Sequence, residues 1–104
     1  MRRLSILLLC LPTLVQAQVP ATSPAKPAKL GQCVACHGEG GRSRIPGTPH
    51  LSGQDATYLV SAITAYRTGT RRAPPMNSIA NTLQPRDIAA LARWYSRQPA
   101  GVVR

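Results

Sequence analysis

Phenylalanine is absent from this chain of 104 residues, whose aromatic side chains are Tyr58, Tyr66, Trp94 and Tyr95 alone. A domain of this size has little area with which to bury a core, so the shortage points to an outside source of apolar bulk. Acidic residues are scarce as well: 3 Asp and Glu stand against 13 Lys and Arg, a net charge of +10. Such a balance favours acidic proteins, anionic membrane surfaces or nucleic acid as partners. No nucleic-acid-binding signature accompanies it, which leaves the first two. The cysteines, Cys10, Cys33 and Cys36, include no distant pair in the body of the chain that could staple it. The methionines are Met1 and Met76. Strand signals longer than a few residues are missing, as are internal repeats and any apolar run long enough for a comfortable membrane span.

What is present begins with an export signal. Met1-Arg2-Arg3 is a positive start, Leu4 to Val15 a short apolar stretch interrupted by Pro12, and Val15-Gln16-Ala17 a small-residue cleavage site. Residues 1–17 therefore read as a secretory signal peptide and the destination as the periplasm, with an uncleaved membrane anchor as the rival. A lipoprotein reading of Cys10 is set aside because Leu9 stands where a small residue belongs. Residues 18–27, with Pro20, Pro24 and Pro27 among Ala, Ser, Thr and Lys, read as a leader that cannot pack. Residues 28–104 form the single domain. It stays strongly positive once Arg2 and Arg3 are discounted.

Within that domain Cys33-Val34-Ala35-Cys36-His37 crowds three reactive side chains into five residues. The spacing is that of c-type haem attachment, in which each thiol adds across a vinyl group and the histidine binds the iron. One covalent haem would also supply the missing apolar bulk. Two rivals need weighing. A thiol redox pair belongs beside a strand, and none is signalled here. Zinc wants four ligands, and only His50 could join these three. For the other side of the iron, Met76 is the candidate, with core filling as its alternative use. His50 competes for that position but lies in the loop that covers the His37 side. A metal-bound histidine needs an acceptor for its other ring nitrogen, and the carbonyl of Pro46 is a candidate.

The periodicity predicts three helices, from about Ala28 to Cys36, from Asp55 to Thr68, and from Pro85 to about Arg97. Between the first two, Gly38 to Gly53 is too rich in Gly and Pro for regular structure, and a long loop covering one face of the haem is expected. Apolar stripes fall on Tyr58, Leu59, Ala62, Ile63 and Tyr66, and on Ile88, Leu91, Ala92 and Tyr95 with Trp94 beside them. Arg67, Arg71 and Arg72 cluster before Met76, where they could meet propionates or an acidic partner. The paired Pro74 and Pro75 are expected to hold the segment before Met76 extended.

The whole pattern resembles the class I cytochromes c of the small bacterial kind, similar to one half of the dihaem members. The match runs from Leu30 to Gln98. It is carried by Cys33-Val34-Ala35-Cys36-His37-Gly38 with Gly41, Ser43, Pro46, Pro49, Leu51, Gly53 and Gln54, and continues through Tyr58-Leu59, Arg67, Gly69, Arg71, Pro74 and Met76. It closes on Leu83, Asp87 to Ala92, and Trp94-Tyr95. The resemblance implies an all-α cytochrome c fold of about three helices and long loops wrapped around one covalent haem c. It further implies His37 and Met76 as axial ligands, and electron carriage rather than catalysis. Three departures stand out: Pro24 and Pro27 shorten the first helix and its contact with the last, Gln84 replaces a stronger cap, and His50 occupies a position often held by another polar residue. The functional expectation is a periplasmic electron carrier that docks on acidic faces of redox proteins, among them membrane-associated respiratory complexes. The alternatives are a haem subunit of a larger dehydrogenase or reductase, and a haem-based ligand sensor.

Overall fold

The computed structural model describes residues 9–20 and 24–101. The first eight residues of the expected signal segment, residues 21–23 of the leader and residues 102–104 lie outside the described residues. Four helices and no strand occur among the described residues: α1 (Gly31–His37), α2 (Ala56–Thr68), α3 (Pro74–Asn81) and α4 (Pro85–Ser96). The class is all-α, as expected, but with one helix more. None of the helices is long and apolar enough to cross a membrane.

The additional helix is α3, which contains Met76. The expectation of an extended run there fails because proline in a first helical turn costs nothing: its fixed φ suits the helix, and its missing N–H would have found no partner anyway. The extended residue is Ala73, at φ −149° and ψ 106°, directly before Pro74. Helix α1 is shorter at its start than expected. Pro27 opens a turn instead, closed by the Leu30 N–H donating to the Pro27 carbonyl at 3.0 Å. Gly38 ends α1 at φ +79°, where an added Cβ would stand 2.7 Å from the Arg42 carbonyl oxygen, so no other residue fits without displacement.

Helix α2 packs against both α3 and α4. It begins at Asp55, whose carboxylate accepts the Tyr58 N–H at 2.8 Å, and its C-cap is Gly69. At the start of α4 the weak cap Gln84 is compensated: Asp87 reaches back and accepts the Gln84 N–H at 2.9 Å. The core gathers Leu30, Leu59, Leu83, Ile88, Leu91, Ala92 and Tyr95, with Leu51, Ile63 and Trp94 packed against it. The stripe expected on α4 is thus the buried one. On α2 only Leu59 is buried, while Tyr58 is 52% exposed. The contact between the first helix region and the last runs through Leu30, which shares the core with Tyr95, and not through Gly31, which is exposed and has nothing within 4 Å of its Cβ position.

Candidate functional site

The Gly38–Gly53 segment carries no helix or strand, yet its backbone is closely tied. The Gly41 carbonyl accepts from the N–H groups of Leu51 (2.7 Å) and Ser52 (3.1 Å), so the loop closes on itself. From the far end of the sequence, Trp94 Nε1 donates to the Glu39 carbonyl at 2.8 Å and the Tyr95 hydroxyl to the Gly38 carbonyl at 3.0 Å. Helix α4 therefore holds the two residues that follow His37. Burial pushes the Tyr95 phenol well above its ordinary range, which keeps it a donor.

His37 is 93% buried at the end of α1, and its Nδ1 lies 2.9 Å from the Pro49 carbonyl oxygen. A carbonyl can only accept, so Nδ1 carries a proton, and in the neutral ring Nε2 is the nitrogen with the lone pair. The acceptor expected at Pro46 is Pro49. The Leu51–Gly41 hydrogen bond folds the later part of the loop back under α1, whereas Pro46 lies at its exposed outer part. Ser43 fixes that outer part: its hydroxyl donates to the Cys36 carbonyl at 2.8 Å, and its N–H donates to His50 Nδ1 at 2.9 Å. His50 is exposed, with that nitrogen engaged in the loop.

A cavity of about 420 Å³ opens beside His37. Cys33, Cys36 and His37 contribute to its wall from α1, Met76 from α3, and Leu59, Ala62, Ile63 and Tyr66 from α2. The unburied part of the α2 stripe faces this space. Leu83, Leu91 and Tyr95 close it from the core side. Both thiols are free, and burial pushes that of Cys33 upward. Among the described residues no group of three or more His, Cys, Asp or Glu is placed to hold a metal ion. The donor set suits an apolar prosthetic group carrying its own metal: two thiols, one imidazole with a free Nε2, one thioether and hydrocarbon walls. Sequence reasoning missed Pro49 and also Asn77, which follows Met76 and binds three backbone groups; no spacing rule marks a contact made through loop closure.

These features define an all-α protein built around a covalently held haem. Residues 25–96 match the family described as Cytochrome c. Over 73 residues the chain is 49% identical to cytochrome c-554(548) of Halomonas halodenitrificans, covering 67% of this chain and 88% of that protein. It is 34% identical over 84 residues to a thiosulfate dehydrogenase electron acceptor of Thiomonas intermedia, covering 79% of this chain but 39% of that one. Among solved structures, reduced recombinant cytochrome c4 from Pseudomonas stutzeri superposes with a TM-score of 0.60 at 30% identity, over 64% of this chain and 38% of that chain. The chain thus spans most of the Halomonas cytochrome and well under half of the other two. It belongs to the cytochrome c family, its structural neighbours are the class I dihaem cytochromes c4, and its cofactor is covalent haem c.

Proposed function

We propose that this chain is a periplasmic monohaem electron carrier, exported by residues 1–17, and not itself an enzyme. Cys33 and Cys36 would hold the haem as thioethers, and His37 Nε2 and Met76 Sδ would bind its iron. The supporting observation is the apolar cavity whose wall includes Cys33, Cys36, the carbonyl-anchored His37 and Met76. The haem, when bound, supplies a one-electron couple. The protein's part is to fix the two donors and exclude water with the aliphatic walls, while Tyr58, also on the cavity wall, stays exposed. The Pro49 carbonyl, by holding Nδ1–H, would fix the tautomer and orientation of the imidazole toward the iron.

The test is Met76→Ala in the holoprotein. The reduction potential should fall and the thioether-to-iron absorption band of the oxidised form should vanish. An unchanged spectrum overturns the assignment of Met76.

The relative from Thiomonas intermedia favours a second, compatible reading, in which the electron donor is a dehydrogenase and the chain is its acceptor or a bound subunit. Native mass separates the two forms: a free carrier runs as the single chain, a subunit copurifies with a larger protein.

A further inference from the structure

Asn77 stands directly after Met76, half-buried in the first part of α3. Its Oδ1 accepts the Ala73 N–H at 2.9 Å. Its Nδ2 donates to the carbonyls of Tyr66 and Arg71, both at 2.8 Å. The orientation of the carboxamide follows from its partners, because only the oxygen can receive an N–H and only the nitrogen can serve two carbonyls. One side chain thus binds the last turn of α2, the middle of the α2–α3 connection and the N-cap of α3.

The local sequence makes this contact necessary. Ala73 has no side chain with which to cap the helix, and Pro74 and Pro75 bring no N–H to anchor its first turn. Nothing in residues 73–76 therefore fixes where α3 starts or how it is rotated. The backbone bond from the Asn77 N–H to the Ala73 carbonyl (3.0 Å) and the side-chain bond returning from the Ala73 N–H form a reciprocal pair at that point. The two carbonyl contacts then tie this helix start to α2. Met76 lies between the prolines and Asn77, so its direction into the cavity depends on that clamp.

We infer that Asn77 is a positioning residue for the sixth iron ligand: its carboxamide, bonded to the backbone of residues 66, 71 and 73, holds the Met76 thioether against the haem cavity. The inference rests on the assignment of Met76 proposed above. The chemistry is selective for asparagine. An aspartate of the same shape would keep the acceptor for Ala73 but turn a carboxylate oxygen toward two carbonyl oxygens.

The experiment compares holoproteins by the thioether-to-iron band, by the concentration of imidazole that displaces the sixth ligand, and by melting. Met76→Ala comes first. If it leaves the band intact, the ligand assignment falls and this inference with it. If it abolishes the band, the Asn77 variants decide. Asn77→Ala should keep its covalent haem, weaken the band and admit imidazole at about tenfold lower concentration, the change expected for a loss of roughly 1.4 kcal/mol in ligand closure. Asn77→Asp at neutral pH should be at least as impaired, whereas Asn81→Ala, exposed on the same helix, should match the parent. Parental band and imidazole affinity in both Asn77 variants overturn the inference even if melting falls, because the side chain then only stabilises α3. The unaltered protein offers an independent reading. As denaturant is added, hydrogen exchange at the Ala73 amide should accelerate together with loss of the band, and free exchange while the band persists overturns the inference without any variant.

Discussion

At the scale of single residues, the site depends on backbone acceptors as much as on side chains. His37 is oriented by the carbonyl of Pro49, and the Gly38 carbonyl beside it is held by the Tyr95 hydroxyl. Tyr95→Phe removes that donor at nearly constant volume. The variant should lose about 0.5–1.5 kcal/mol, measured by denaturant titration of the holoprotein. Its pH profile should change as well. Burial raises the folded-state pKa of Tyr95 above the unfolded value, so the contribution of this group is fully present below pH of about 10. Above that pH the unfolded chain ionises first, and stability falls as pH rises. The Phe variant should lack this alkaline component. Cys33, Cys36 and His37 were legible in the sequence because their chemistry resides in a five-residue spacing. Pro49 was not, since a carbonyl becomes an acceptor for His37 only when the loop returns, and every residue in the loop has a carbonyl.

At the scale of elements, boundaries followed local chemistry where a side chain announces it. Asp55 begins α2, Gly69 ends it, and Pro85 with Asp87 opens α4. The Asp87 carboxylate is the stronger half of that last start. Asp87→Ala should cost about 1 kcal/mol, read as a fall in melting temperature of about 4–8 °C for a domain of this size. Helix α3 was not legible. Two prolines in succession suit either an extended segment or a helical first turn, and local rules do not choose between them. The choice falls to Asn77, which reaches back to Ala73 and across to α2. The loop between α1 and α2 shows the same division. Its Gly and Pro content announced irregular structure, but its shape is set by the Gly41 carbonyl and by Trp94 and Tyr95 from the opposite end of the chain.

At the scale of the molecule, the aromatic-poor composition and the cavity are one fact. The core of seven clustered residues is small, and the apolar face of α2 is directed mostly at a space that protein side chains do not fill. Charge is distributed with similar economy. All three acidic side chains serve internal roles: Asp55 and Asp87 bind helix-start N–H groups, and Glu39 pairs with Lys26, the one ion pair among the described residues. The arginines of the described surface consequently present uncompensated positive charge. Electron transfer to an acidic partner should slow as ionic strength rises, since the Debye length falls from about 30 Å at 0.01 M to about 10 Å at 0.1 M. Stopped-flow rates that do not change with salt would refute electrostatic docking.

The sequence by itself determined the chemistry and the class: thiols and imidazole at a fixed spacing, helices marked by apolar periodicity and caps, and a core too poor in aromatics to close without a prosthetic group. These are local or compositional properties, and they need no knowledge of which segments meet. The tertiary structure alone decided which carbonyl holds His37, that Met76 rides on a helix, and that Asn77 ties that helix to its neighbour. Each depends on the angle at which two distant segments approach. Hydrogen bonds that close such approaches are made by backbone groups common to every residue, so the sequence does not mark them.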